Sequence, residues 1–191
     1  MAVVVFMRGV NVGGHRTFRP AALAKDLAAY DVVSIGAAGT FVVRGTVGKT
    51  VLRAEILRRL PFEAEVILCP ARAVTGLVAE EPFPRGSTAA GIKRYVSVLA
   101  KRPAAAPRFP LGRPATGAWQ VRLLGVHGPF VLSLHRRAGK TLLYPNTVVE
   151  KELGVPATTR GWDTLGRIVK ALEAGSGPVR VRGVTAGVPP A

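Results

Sequence analysis

The sequence predicts an α+β protein of two tandem βαββαβ subdomains, the second degenerate. Three observations carry this. Residues 1–70 order their patterned segments as β-α-β-β-α-β. A Pro- and Gly-containing break is followed by a looser version of the same order. Two short stretches echo each other at equivalent places: Thr40-Phe41-Val42-Val43 leading to Gly48-Lys49-Thr50, and Phe130-Val131-Leu132 leading to Gly139-Lys140-Thr141.

Residues 2–8 contain four consecutive apolar side chains, Val3 to Phe6, and so read as a buried strand rather than an alternating one. Pro20 suits a first helical turn, and Leu23, Leu27 and Tyr30 follow on one helical face. Val32–Ile35 and Thr40–Arg44 are β-rich around Gly36-Ala37-Ala38-Gly39, a hairpin pattern. Thr50 is a candidate cap for a second helix with Leu52, Ile56 and Leu60 on one side, ended by Pro61. Glu65–Cys69 makes a fourth strand. Both helices are then expected on one face of an antiparallel sheet, the ferredoxin-like plan.

A short helix over 71–79 and a linker through Glu80-Glu81-Pro82-Phe83-Pro84 occupy 71–90. The second subdomain, 91–175, begins with a strand from Arg94 to Leu99. Pro103, Pro107, Pro110 and Pro114 exclude an ordinary helix over 102–117. Trp119–Leu124 and Phe130–Leu134 read as a hairpin across Gly125-Val126-His127-Gly128. A helix is expected over 147–153, and Trp162, Leu165, Ile168, Val169 and Leu172 line a last one. Residues 176–191, rich in Gly, Pro, Val and Arg, read as a flexible tail.

Composition bounds the function. Apolar content of 48% suits a packed core. Apolar runs fall far short of the roughly 20 residues of a membrane span, and no membrane association is expected. The single Cys69 forms no internal disulfide, so a cytoplasmic location is the expectation. Lys and Arg number 27 against 11 Asp and Glu, a net charge of +16, which attracts polyanions such as nucleic acid. The cations are scattered rather than gathered in a run, and a biased base composition would also accumulate arginine on solvated faces.

Two glycine-rich segments are candidate anion sites. Arg8, Gly9, Asn11, Gly13, Gly14 and His15 follow the first strand, where glycines let backbone amides converge beside cations. The alternative is a turn that needs glycine for geometry alone. Thr158, Arg160, Trp162 and Thr164 lead into the last helix, whose free N–H groups offer a second anion site; Thr159 or Asp163 as plain caps is the alternative. Neither Gly-Lys-Thr stretch is a phosphate loop, because Val43 and Leu134 stand where the first glycine belongs. Asn11 likewise breaks the dinucleotide fingerprint. The three histidines lack a partner ligand at helical spacing, and nothing in the sequence indicates a metal or cofactor. Cys69, ending a strand before Pro70, reads as a buried thiol rather than a nucleophile.

These segments also carry a resemblance. Met7-Arg8-Gly9-Val10-Asn11-Val12-Gly13-Gly14-His15 resembles the "LRGINVGG" opening of the bacterial domain-of-unknown-function 1697 family. Leu153-Gly154-Val155-Pro156-Ala157-Thr158-Thr159-Arg160-Gly161-Trp162-Asp163-Thr164 is similar to its "LGVPATTRNWNT" close. The resemblance covers residues 3–174 and implies ferredoxin-like α+β subdomains with no established activity. The chain departs from the family pattern at a "QSGN" turn, here Gly36-Ala37-Ala38-Gly39-Thr40, and at Gly161 and Asp163, where the family has asparagines.

The leading functional expectation is binding of an anionic, phosphate-bearing small molecule or nucleic acid in a groove between the halves, where the two segments converge. An enzyme with Arg8 and Arg160 clamping a small phosphorylated or carboxylated substrate and His15 as general acid or base is a second class. A homo-oligomeric module using exposed sheet edges is a third.

Overall fold

A computed structural model describes residues 1–11, 17–138 and 142–175. The flexible-tail expectation for 176–191 and the second Gly-Lys-Thr echo lie outside the described residues. The fold is α+β, with two antiparallel sheets.

The first sheet holds β1 (Val3–Arg8), β2 (Val32–Ser34), β3 (Thr40–Val43) and β4 (Glu65–Pro70), ordered β2-β3-β1-β4. The run Val3 to Met7 is apolar throughout because both faces of β1 are covered. Val3, Val5 and Met7 enter a cluster with Leu23 and Leu27 of the first helical segment and Leu52 and Ile56 of the second. Val4 and Phe6 point the other way, into the central core. The two helices are α1 (Pro20–Asp26), extended by a single 3₁₀ turn over Ala28–Tyr30, and α2 (Lys49–Arg58). Gly48, not Thr50, is the α2 N-cap, and no side chain caps it; Thr50 lies inside the first turn.

The chain leaves β4 through Pro70 directly into α3 (Ala71–Glu80). The second sheet contains β5 (Ile92–Leu99), β6 (Leu111–Arg113), β7 (Val121–His127), β8 (Phe130–Arg136) and β9 (Ala157–Gly161), ordered β6-β7-β8-β5-β9. The Pro-rich stretch forms no helix and contributes only the short β6. The β7–β8 connection is tighter than expected. A bulge between Leu123 and Gly125 lets β7 run on to His127, so only Gly128 and Pro129 turn the chain. Gly128, at φ +58, takes the left-handed position that the turn requires.

β9 is a strand that the sequence pattern does not announce. Residues 157–161 pair antiparallel with β5, Val96 opposite Arg160 and Val98 opposite Thr158. Neither Thr159 nor Asp163 caps α5 (Trp162–Ala174): Gly161 is the N-cap, Asp163 sits in the first turn, and the Thr159 hydroxyl bonds Ser97 and Asn146 instead.

Three cores stack the molecule. α1 and α2 cover one side of the first sheet. α3 and α5 lie between the sheets, where Val74, Leu77, Leu165 and Ile168 meet Val4, Phe6, Val96 and Leu132. α4 (Pro145–Leu153) covers the far side of the second sheet through Val148, Val149 and Leu153. No helix among the described residues is long and apolar enough to cross a membrane.

Candidate functional site

The structure brings the two sequence-identified segments together at the end of β1. The carbonyl of Met7 accepts hydrogen bonds from the Thr158 hydroxyl (3.2 Å) and from Arg160 Nη2 (2.9 Å). Arg160 is 7% exposed, and its remaining donors are also taken: Nε by the Thr40 hydroxyl (2.6 Å), Nη1 by the Thr158 hydroxyl and Thr159 carbonyl, and Nη2 additionally by the Ala38 carbonyl (2.6 Å). All these acceptors are neutral. Burial pulls the guanidinium down to about 10, which still leaves it charged at neutral pH.

Arg8 is engaged differently. Its Nε and Nη2 bind the two oxygens of Glu150 on α4, at 2.7 and 3.1 Å, and Glu65 lies 3.7 Å from Nη1. Burial pushes the Glu150 carboxyl up. Hydrogen bonds from Arg8, the Ala157 amide and Asn146 outweigh it and hold the group below the usual carboxylate range. Glu150 thus joins β1, α4 and the start of β9.

The other expected residues frame this junction. Gly9 and Asn11 take positive φ, +66 and +53. The Asn11 side chain donates to the Phe18 and Ala37 carbonyls and accepts from the Phe18 amide, tying both ends of its loop. Trp162 is buried edge-on against Phe83, 5.0 Å between centroids. Thr164 accepts from Arg167. Gly13, Gly14 and His15 lie outside the described residues. The turn before β3 fits the same frame: Ala37 and Ala38 contribute backbone carbonyls, and Thr40 supplies the hydroxyl for Arg160 Nε.

A second constellation was not legible as a site. On the face of the second sheet turned away from α4, Arg94 and Arg122 flank Leu134 in one cross-strand row, and Arg136 follows two residues along β8. The Arg94 guanidinium lies over Phe83 (5.5 Å) and Trp162 (5.7 Å). Those of Arg122 (4.5 Å) and Arg136 (4.1 Å) lie over Trp119. The ion pairs among the described residues engage Arg8, Arg44, Arg58, Arg59 and Arg113, and none of these three. Strand register, not a run in sequence, gathers the charge. The available signal was their even spacing with core residues of the same strands, such as Val96 and Leu132.

A third feature is a cleft of about 1120 Å³ between the halves, lined by β4 and by residues 98–106 with Arg53, Lys101 and Arg102 among its walls. Cys69 lies there too, but burial pushes its thiol up to about 11, so it is a poor nucleophile at neutral pH. Among the described residues no group of three or more His, Cys, Asp or Glu side chains stands close enough to hold a metal ion.

Comparison with known proteins bears on fold and family. The conserved bacterial protein SP0830 from Streptococcus pneumoniae has a similar structure: TM-score 0.57 at 15% sequence identity, covering 90% of this chain and 98% of that one. At that identity the likeness is one of fold. No curated protein matches the sequence. The model of a family described as "Protein of unknown function (DUF1697)" matches residues 1–125, and with the opening motif set around the β1 junction the chain belongs to that family.

Proposed function

We propose that the chain binds single-stranded nucleic acid, a phosphate-bearing polyanion, across the face of the second sheet that carries Arg94, Arg122 and Arg136. One observation carries the reading: three half-buried guanidiniums on a single face, each against an aromatic ring and none facing a carboxylate among the described residues. Arginine held this way is pre-organised for charge-assisted bonds to phosphate, and its plane stacks on bases. The net charge of +16 acts in the same direction by speeding encounter.

The topology supports it. Leaving out β6, the second sheet reads β7-β8-β5-β9, matching β2-β3-β1-β4 in the first. We read both halves as ferredoxin-like, the second having lost its first helix to the Pro-rich stretch. In such a unit the face opposite the helix is where RNA-binding sheets stack bases. Here α4 covers one face. The other packs on α3 and α5 through Val96, Val98 and Leu132, and the three arginines stand half-buried on the uncovered margin of that face, the part a strand would meet. Use of Arg8 and Arg160 as clamps on a small substrate fits less well: a ligand would have to displace Glu150 from Arg8 and six neutral acceptors from Arg160.

The test is fluorescence anisotropy with a labelled oligouridylate over a salt series. Three phosphate contacts give a log–log slope of about −2, at about 0.7 per phosphate for a single strand. Removing two arginines in Arg122→Ala/Arg136→Ala reduces that slope by about 1.4. Salt-independent binding, or an unchanged slope in the double variant, overturns the reading.

A further inference from the structure

The two sheets have four edges, and three of them are blunted. β2 and β6 are three residues long. β9 is tied down by Thr158 and Arg160, both bonded to Met7. The fourth, β4, runs for six residues with no strand beyond it among the described residues. A long open edge is a template for another strand, and proteins that leave one commonly use it.

The register shows which groups it offers. The Ala71 amide donates to the Ala2 carbonyl (3.1 Å), and those two residues continue the β1–β4 pairing of Val3 with Pro70. Antiparallel pairs alternate between bonded and unbonded. Cys69, Ile67 and Glu65 therefore face β1, and Pro70, Leu68 and Val66 turn their backbone groups outward. Pro70 having no N–H, and the Met7 amide turning away from β4 to Gly39 (2.8 Å), agree with this phase. Arg53 Nη1 takes the Val66 carbonyl (2.6 Å). Among the described residues nothing pairs with the N–H and C=O of Leu68 or the N–H of Val66, on the edge that lines the 1120 Å³ cleft.

We infer that this cleft binds an extended acidic peptide by adding it as a strand to β4. The far wall, residues 98–106, leaves room beside the edge. Lys101 and Arg102, both exposed and without a carboxylate partner among the described residues, stand with Arg53 along it. Glu65, the one acidic lining residue, faces Arg8. Backbone pairing supplies affinity without sequence preference, and the cations select acidic side chains at alternate positions of the bound strand. This peptide site is distinct from the Arg94–Arg122–Arg136 face.

The probe is a labelled ten-residue peptide alternating Thr and Glu. Its controls are a Thr/Lys peptide and a Thr/Glu peptide N-methylated along one edge. The Thr/Glu peptide binds wild type and protects the Leu68 and Val66 amides from hydrogen exchange. N-methylation and Leu68→Pro each weaken binding at least about tenfold, the loss expected when a backbone hydrogen bond goes and its partner is left unpaired. Leu68→Pro removes an N–H that points away from β1 and is tolerated at an edge; the N-methylated peptide makes the same test on unaltered protein. Lys101→Glu/Arg102→Glu weakens binding similarly, whereas Arg122→Ala/Arg136→Ala does not change it. The inference is overturned by equal binding of the Thr/Lys or N-methylated peptide, or by no binding at millimolar Thr/Glu peptide. A dimer of the chain that Leu68→Pro dissociates, or displacement of the peptide by oligouridylate, overturns it in favour of those occupants.

Discussion

Replacing Arg160 by alanine should destabilise the protein by about 2 kcal/mol with no ligand present. The figure follows from what the guanidinium leaves behind. The Met7 carbonyl keeps its bond from Thr158, and the two threonine hydroxyls can turn to other partners. The Ala38 and Thr159 carbonyls lose the donors that hold them. The Thr159 carbonyl has no substitute in the ladder, because the bond from the Ala100 amide to the Pro156 carbonyl sets a phase in which Thr159 turns away from β5. Ala38 is exposed, so its carbonyl can turn to water, and only the half-buried Thr159 carbonyl is left unsatisfied, at about 1–3 kcal/mol. Against a total of about 5–15 kcal/mol this is a large fraction. Urea unfolding followed by far-UV circular dichroism measures it, with an unchanged m-value showing that the native state is intact. Arg160→Lys keeps the charge but offers a point donor in place of a planar fork, and should fall between wild type and alanine. Arg8→Ala should cost only about 1 kcal/mol, since the Arg8–Glu150 pair is partly open to solvent. If Arg160→Ala stays within about 1 kcal/mol of wild type while millimolar phosphate stabilises wild type alone, Arg160 is an anion clamp and the structural reasoning fails.

Three other perturbations probe the same framework. Glu150, held below the usual carboxylate range, contributes stability that is present above its unfolded pKa and lost as pH falls through the lower folded value; acid titration of unfolding should show that loss, and Glu150→Gln should flatten it. The Ser133 hydroxyl is fully buried and has no hydrogen-bond partner among the described residues, so Ser133→Ala should leave the melting temperature unchanged or raise it. Gly39 sits at φ +66 where a Cβ would come within 2.5 Å of Val10 Cγ2 and 2.8 Å of Met7 Cβ; Gly39→Ala should lower stability by about 1–3 kcal/mol in the same urea assay.

What could be read from the sequence was what local chemistry decides. Val3 to Phe6 had to be buried on both faces, Pro61 had to end α2, and Trp162 to Leu172 had to form an amphipathic helix. β9 was hidden because Ala157-Thr158-Thr159-Arg160-Gly161 has little apolar content, and its strand character comes from pairing with β5, more than fifty residues away. Arginine roles were illegible for the same reason. Arg8 finds Glu150 across 142 residues, and Arg160 finds Met7 across 153. The convergence of the two motifs was anticipated, but not that their arginines would be occupied by the protein itself. The Arg94, Arg122 and Arg136 face exists only once β7, β8 and β5 are in register. A scattered charge pattern in the chain therefore hid a gathered one in the fold.

The most direct test of nucleic-acid binding on that face is a hydrogen-exchange footprint of the whole protein with and without oligouridylate at low salt. Protection should appear over residues 119–124 and 130–136, with the β1–β9 junction around Met7 and Arg160 unchanged. Protection centred on Met7, Thr158 and Arg160 instead, or none at any oligonucleotide concentration, would contradict it.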